Sequence, residues 1–183
     1  PFGTYPSVIT GTQNVIKLFQ KTKAEAIKIE GATSESCLLI KKLTEIGIPV
    51  MGHIGLTPQS VHQLGGYYQH GKNDNEALSL NQAAINLEKA GAFAVVLECI
   101  DSLVASEITN SLSIPTIGIG SGADVDGQVL VINDLLKMGV ENPPSFCTPI
   151  SDLYLLKKDL IEEYLKTPPQ ILNEKDSLSY GLQ

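Results

Sequence analysis

EALSLNQAAINLEKAGAFAVVLE, running from Glu76 to Glu98, decides the fold. Leu80, Ala83, Ala84 and Leu87 recur at helical spacing, Gly91 stops the helix, and Phe93 to Glu98 reads as a strand that ends in a carboxylate. A helix that passes through one glycine into an apolar strand is half of a βαβ repeat.

The same order appears on both sides of it. Upstream, Thr12 to Lys23 is helical through Val15, Ile16, Leu18 and Phe19, and Ala26 to Glu30 follows as a strand. Ser34 to Ile46 is helical again, Gly47 ends it, and Ile48 to Ile54 is the next strand. Downstream, Asp101 or Ser102 caps a helix through Leu112, Ile114 to Ile119 is a strand, and Gln128 to Ile132 is another. Alternating strands and helices imply an α/β fold with a parallel sheet and right-handed crossovers.

Charged and glycine-rich residues stand at the strand ends: Lys28-Ile29-Glu30-Gly31, the run Gly52 to Ser60, Leu97-Glu98-Cys99 and the run Ile117 to Gly122. Groups that are costly to bury therefore cluster at one end of the sheet, where an α/β enzyme presents its site. Alternation along a strand puts Lys28 and Glu30 on one face, and Glu98 on the face of Ala94 and Val96. Each also has a plain structural reading. Lys28, Glu30 and Glu98 can be strand ends meeting water, and His53 a hydrogen-bonded core or rim histidine. His62 and His70 fall in a polar loop and carry no further signal. Gly118, Gly120 and Gly122 form G-x-G-x-G without the acidic residue of a dinucleotide fingerprint, so close backbone approach is the better reading than a phosphate nest.

Two stretches break the rhythm. Gly55 to Glu76 is a polar, glycine-rich connection longer than usual, either a lid or a surface excursion. Gly139 to Pro149, with Pro143, Pro144 and Pro149, reads as a linker. After it, Ser151 is the expected N-cap of a helix striped by Leu153, Leu156, Leu160 and Tyr164, which Pro168-Pro169 would end. Asn173 to Gln183 reads as a polar, mobile tail. The expected division is a catalytic region at 1–138 and a linker, helix and tail at 139–183.

The 183 residues are 43% hydrophobic with a formal charge of −7, and all 13 basic residues are Lys. An acidic chain without the guanidinium fork is a poor partner for nucleic acid. No apolar stretch approaches the roughly 20 residues of a membrane span, and no targeting peptide is legible, so a soluble cytoplasmic protein is expected. Cys37, Cys99 and Cys147 lack metal or disulfide spacing and suit a reducing compartment; Cys37 and Cys99 fall in apolar runs, as small buried hydrophobes do. The chain opens with Pro1-Phe2-Gly3-Thr4-Tyr5, which reads like the middle of a protein.

Lys28-Ile29-Glu30-Gly31, Gly52-His53-Ile54-Gly55-Leu56-Thr57-Pro58-Gln59-Ser60, Leu97-Glu98-Cys99, the run Ile114 to Gly122 and the run Asp126 to Val131, in this order and spacing, resemble the ketopantoate hydroxymethyltransferase family. The resemblance extends from Pro1 to about Asp134. It implies a (β/α)8 TIM barrel of the phosphoenolpyruvate/pyruvate type, here with about five of eight strands, the fourth to the eighth. It implies transfer of a hydroxymethyl group from 5,10-methylenetetrahydrofolate to 3-methyl-2-oxobutanoate, with Mg2+ holding the oxo acid. By that resemblance Glu98 is the proton acceptor, Lys28 binds the substrate and Glu30 belongs to the metal site. Homo-oligomers are the family's habit.

The family's Gly-Asp-Ser motif and the aspartate ahead of the Pro-Phe run, which serve metal and substrate, fall outside this chain, so the chain alone is expected to be inactive. Two other readings are a Mg2+-dependent 2-oxo acid lyase or mutase that needs no folate, and a non-catalytic remnant acting as a subunit.

Overall fold

The computed structural model describes residues 2–166. The Pro168-Pro169 stop and the tail from Asn173 lie outside the described residues. The chain divides into two compact units, residues 1–129 and 130–183.

The first unit opens with helix α1 (Val8–Lys21), four residues earlier than the apolar stripe predicts, because Ser7 caps it by accepting from the Thr10 amide. Strand β1 (Ile27–Glu30), helix α2 (Ser34–Glu45) and strand β2 (Val50–Gly55) follow. A 3-10 turn (Pro58–Ser60) and the short helix α3 (Val61–Leu64) lie in the long connection, and helix α4 (Asp74–Lys89) is capped by Asn73. Strand β3 (Ala94–Glu98), helix α5 (Ser102–Ser111), strand β4 (Thr116–Ile119) and strand β5 (Gly127–Gln128) complete it.

The strands form one sheet in the order β1-β2-β3-β4-β5, every pair parallel. This is the α/β architecture the alternation implies, consistent with a TIM-barrel family, and the five strands do not close on themselves. The strand expected at Gln128 to Ile132 is shorter than read. Val129 makes the last rung, to the Gly118 carbonyl at 3.0 Å, because β4 ends at Ile119 and the chain turns at Gly120 with φ of 64°. The apolar run beyond it enters helix α6 (Ile132–Leu135) instead.

One face of the sheet is buried against helices. Ile29, Val50, Ile54, Val95 and Leu97 pack with Leu39, Ile40 and Leu43 of α2, Leu87 of α4 and Ile108 of α5. Fully burying each such side chain contributes roughly 1.5–3 kcal/mol, which makes this face the stabilising one. Alternation then leaves Lys28, Glu30, Met51, His53, Ala94, Val96 and Glu98 on the opposite face.

In the second unit, helix α7 (Leu153–Lys166) is capped by Asp152, not by Ser151: Asp152 Oδ1 accepts from the Leu155 amide at 2.9 Å. The other Asp152 oxygen takes Lys137 Nζ at 2.6 Å. Leu156, Leu160 and Tyr164 of the expected stripe are exposed. Among the described residues no helix is long and apolar enough to cross a membrane.

Candidate active site

Register decides which strand-end residues meet. Lys28, Met51 and Ala94 share one row across the sheet, and Glu30, His53, Val96 and Ile117 share the next. Gly55, Glu98 and Ile119 form the row beyond, at the C-terminal ends of their strands. Rows on one face are two residues apart, about 7 Å. Glu30 and Glu98 are therefore two strands and one row apart, and the strand between them supplies His53.

His53 has no exposed surface. Its Nε2 lies 3.0 Å from Glu98 Oε2 and its Nδ1 lies 3.9 Å from Glu30 Oε1. Neither contact is aligned as a hydrogen bond, so the imidazole is a polar spacer wedged between two carboxylates. The sequence reading left His53 as an ordinary core or rim histidine because alternation within one strand says nothing about the neighbouring strand. It also set Glu98 at the end of an apolar face; Ala94 and Val96 are there, but His53 stands beside the carboxylate.

Glu30 is held from a second side. Its Oε2 accepts from the Gln59 amide at 3.1 Å and its Oε1 from Gln59 Nε2 at 3.4 Å. Pro58 at the start of the 3-10 turn brings Gln59 back over the strand end. Tyr5, from the opening run, reaches the same place. Its phenol is pushed above its ordinary range by burial first and the Glu30 charge second, opposed by hydrogen bonds to the Glu30 backbone and the Gln59 side chain. Sequence reasoning quoted both residues within motifs and assigned neither a role.

Lys28 is on the same face, one row behind Glu30 and two behind Glu98. It is exposed, and among the described residues it forms no ion pair with either carboxylate. The structure thus joins Glu30, His53 and Glu98 directly and places Lys28 on the same face, apart from them. Cys99, just past Glu98, adopts φ of 51°, and burial first and the Glu98 charge second push its thiol up.

Gly55 and the glycine motif are explained by close approach. A Cβ on Gly55 would lie 2.2 Å from the Glu98 carbonyl oxygen, and one on Gly122 would lie 2.6 Å from Ser102 Cβ. Glycine at these positions lets the strand ends crowd together at the site.

Mg2+ takes oxygen ligands in an octahedron. Among the described residues no group of three or more His, Cys, Asp and Glu side chains is arranged to hold a metal ion. Glu30 is one carboxylate, and both its oxygens already face Gln59 donors. The residues present do not by themselves make a magnesium centre.

The chain is similar to curated proteins named 3-methyl-2-oxobutanoate hydroxymethyltransferase. That of Legionella pneumophila strain Philadelphia 1 is 55% identical over 134 residues, covering 73% of this chain and 51% of the relative. That of Bdellovibrio bacteriovorus is 44% identical over 164 residues, covering 90% and 62%, and that of Leptospira interrogans is 41% identical over 167 residues, covering 91% and 63%. The chain thus spans about half the length of the first of these relatives. A family model described as ketopantoate hydroxymethyltransferase matches residues 1–168, which include every residue of the site, and the chain belongs to that family.

Proposed function

We propose that the protein carrying this chain transfers a hydroxymethyl group from 5,10-methylenetetrahydrofolate to 3-methyl-2-oxobutanoate, giving 2-dehydropantoate in pantothenate biosynthesis. The observation that carries the reading is the convergence of Glu30, His53 and Glu98 on one sheet face at the strand ends. The names of the relatives support the same substrate.

The chemistry needs a base at C3 of the oxo acid. Glu98 takes the C3 proton, the C–H electron pair becomes the enolate, and the enolate carbon forms the new C–C bond to the folate's one-carbon unit. Both carbon–nitrogen bonds of the folate methylene bridge break, water supplies the hydroxyl oxygen, and the two freed nitrogens take up the C3 proton from Glu98 and one proton of that water. Lys28, one row behind Glu30, supplies a mobile positive charge for the substrate carboxylate. Glu30 is proposed as one oxygen ligand of Mg2+ in the whole protein, and no step here is assigned to the metal. A homo-oligomer in the cytoplasm belongs to the same proposal.

The experiment is an assay of the full-length protein with 3-methyl-2-oxobutanoate, with and without the folate donor. Folate-dependent formation of 2-dehydropantoate is expected. Turnover of the oxo acid without folate would favour a lyase or mutase, and no turnover at all would leave a non-catalytic subunit.

A further inference from the structure

The long connection that the sequence leaves as lid or excursion is tied at both ends to the strand ends that carry the two carboxylates. At its start the Leu56 amide donates to the Glu98 carbonyl at 2.8 Å, and Gln59 clasps Glu30 through two N–H groups. At its end the His70 amide donates to the Cys99 carbonyl and the His70 carbonyl accepts from the Asp101 amide, each at 2.8 Å. His70 and Ile100 thereby form a single parallel bridge just beyond the catalytic strand.

The His70 side chain is the anchor of that bridge. It is 4% exposed, its Nδ1 stands 2.9 Å from Glu76 Oε1 in the first turn of α4, and the Tyr68 ring lies 4.2 Å from its own. Its Nε2 is buried with no hydrogen-bond partner. A buried, half-satisfied histidine is costly in a surface loop, and nothing in the proposed chemistry uses it. What it holds in place is Cys99, whose φ of 51° is strained for a non-glycine residue and persists only where the surroundings impose it. Glu98 is the residue before.

We propose that the segment from Leu56 to His70 is a strap in which Gln59 and His70 are positioning residues, fixing Glu30 and Glu98 relative to each other across the sheet. This rests on the function proposed above. Gln59 sets one carboxylate directly. His70, fastened to α4 through Glu76, holds the left-handed turn that aims the other.

The test compares His70→Leu with His70→Gln in the full-length protein. Leucine keeps bulk without a donor; glutamine keeps an N–H that can reach Glu76. For His70→Leu, the amides of residues 70 and 101 are expected to exchange at least tenfold faster, with those of Val95 and Leu97 unchanged. Its kcat should fall roughly 10- to 100-fold, as small misplacements of reacting groups do, with KM for the oxo acid within about twofold. His70→Gln should recover most of both.

The proposal is overturned if the bridge amides open while kcat stays the same, if they do not open, or if glutamine fails to rescue. Should the unmodified protein form no 2-dehydropantoate, the proposed function fails on its own. The strap is then judged by the ¹³C signal of the Glu98 carboxylate, which must move in His70→Leu and return in His70→Gln; an unmoved signal overturns it.

Discussion

His53 Nε2 lies 3.0 Å from Glu98 Oε2, on a ring that has no exposed surface and whose other nitrogen faces Glu30. The pair comes from adjacent strands, and Glu98 stands one row beyond the position paired with His53. The carboxylate is thus met from the side by a buried polar group. Replacing His53 with leucine leaves two carboxylates facing an apolar wedge.

For His53→Leu, stability is expected to fall by about 1–3 kcal/mol, the cost of setting part-buried carboxylates against an apolar side chain. Turnover should fall at least about tenfold through misplacement of Glu98. Urea unfolding and steady-state kinetics on the full-length protein check both. Unchanged values would make His53 a bystander.

Gly55 sits at φ of 89°, and an added Cβ would meet the Glu98 carbonyl oxygen at 2.2 Å. Backbone cannot move aside as a flexible side chain can. Gly55→Ala is expected to cost at least roughly 1–3 kcal/mol from the left-handed conformation alone. It should also break the bond from the Leu56 amide to Glu98, read as faster exchange of that amide. A fully stable variant with a protected Leu56 amide would refute the close approach.

Glu88 joins α4 to the turn before β4: its Oε1 accepts from Ser113 Oγ at 2.6 Å and from the Ser113 amide at 2.7 Å. These bonds, the hydroxyl's first, hold its carboxyl below the usual range. Because the folded value is depressed, the link stabilises above the ordinary carboxylate pKa and is lost as pH falls through the folded value. Urea midpoints between pH 7 and 3 should therefore fall more steeply for the native chain than for Glu88→Gln. Parallel curves would show that the link contributes nothing.

The isolated 183-residue chain is expected to form no measurable 2-dehydropantoate. Among the described residues the five strands leave two sheet edges unpaired, and no three-ligand metal group is assembled. A product assay on the pure chain checks this, and turnover by it would be decisive against the account.

Much of the fold was legible because the helix, glycine and strand order repeats with little variation. Four of the five strands were read within two residues at either end. The fifth was overread because Val129, Leu130 and Val131 carry strand propensity, while the length of β5 is set by where β4 turns at Gly120. The shared face of Lys28 and Glu30 follows from period two alone. The wedge of His53 does not, since it depends on the register between strands, which one sequence does not encode locally. Gln59 and His70 were invisible for the same reason: both act through loop backbone that returns to strands far away in the chain. Capping was read correctly where the polar residue abuts the stripe, and one residue early at Ser151, where Asp152 outcompetes it.

The central claim is that Glu98 removes the C3 proton of 3-methyl-2-oxobutanoate. The most direct measurement is incorporation of deuterium at C3 from heavy water by the full-length protein without folate, followed by NMR. The account predicts exchange by the native protein and a loss of roughly 10²- to 10⁴-fold in Glu98→Gln, the usual range for a missing general base, with oxo acid binding kept. Exchange by Glu98→Gln at the native rate would contradict it.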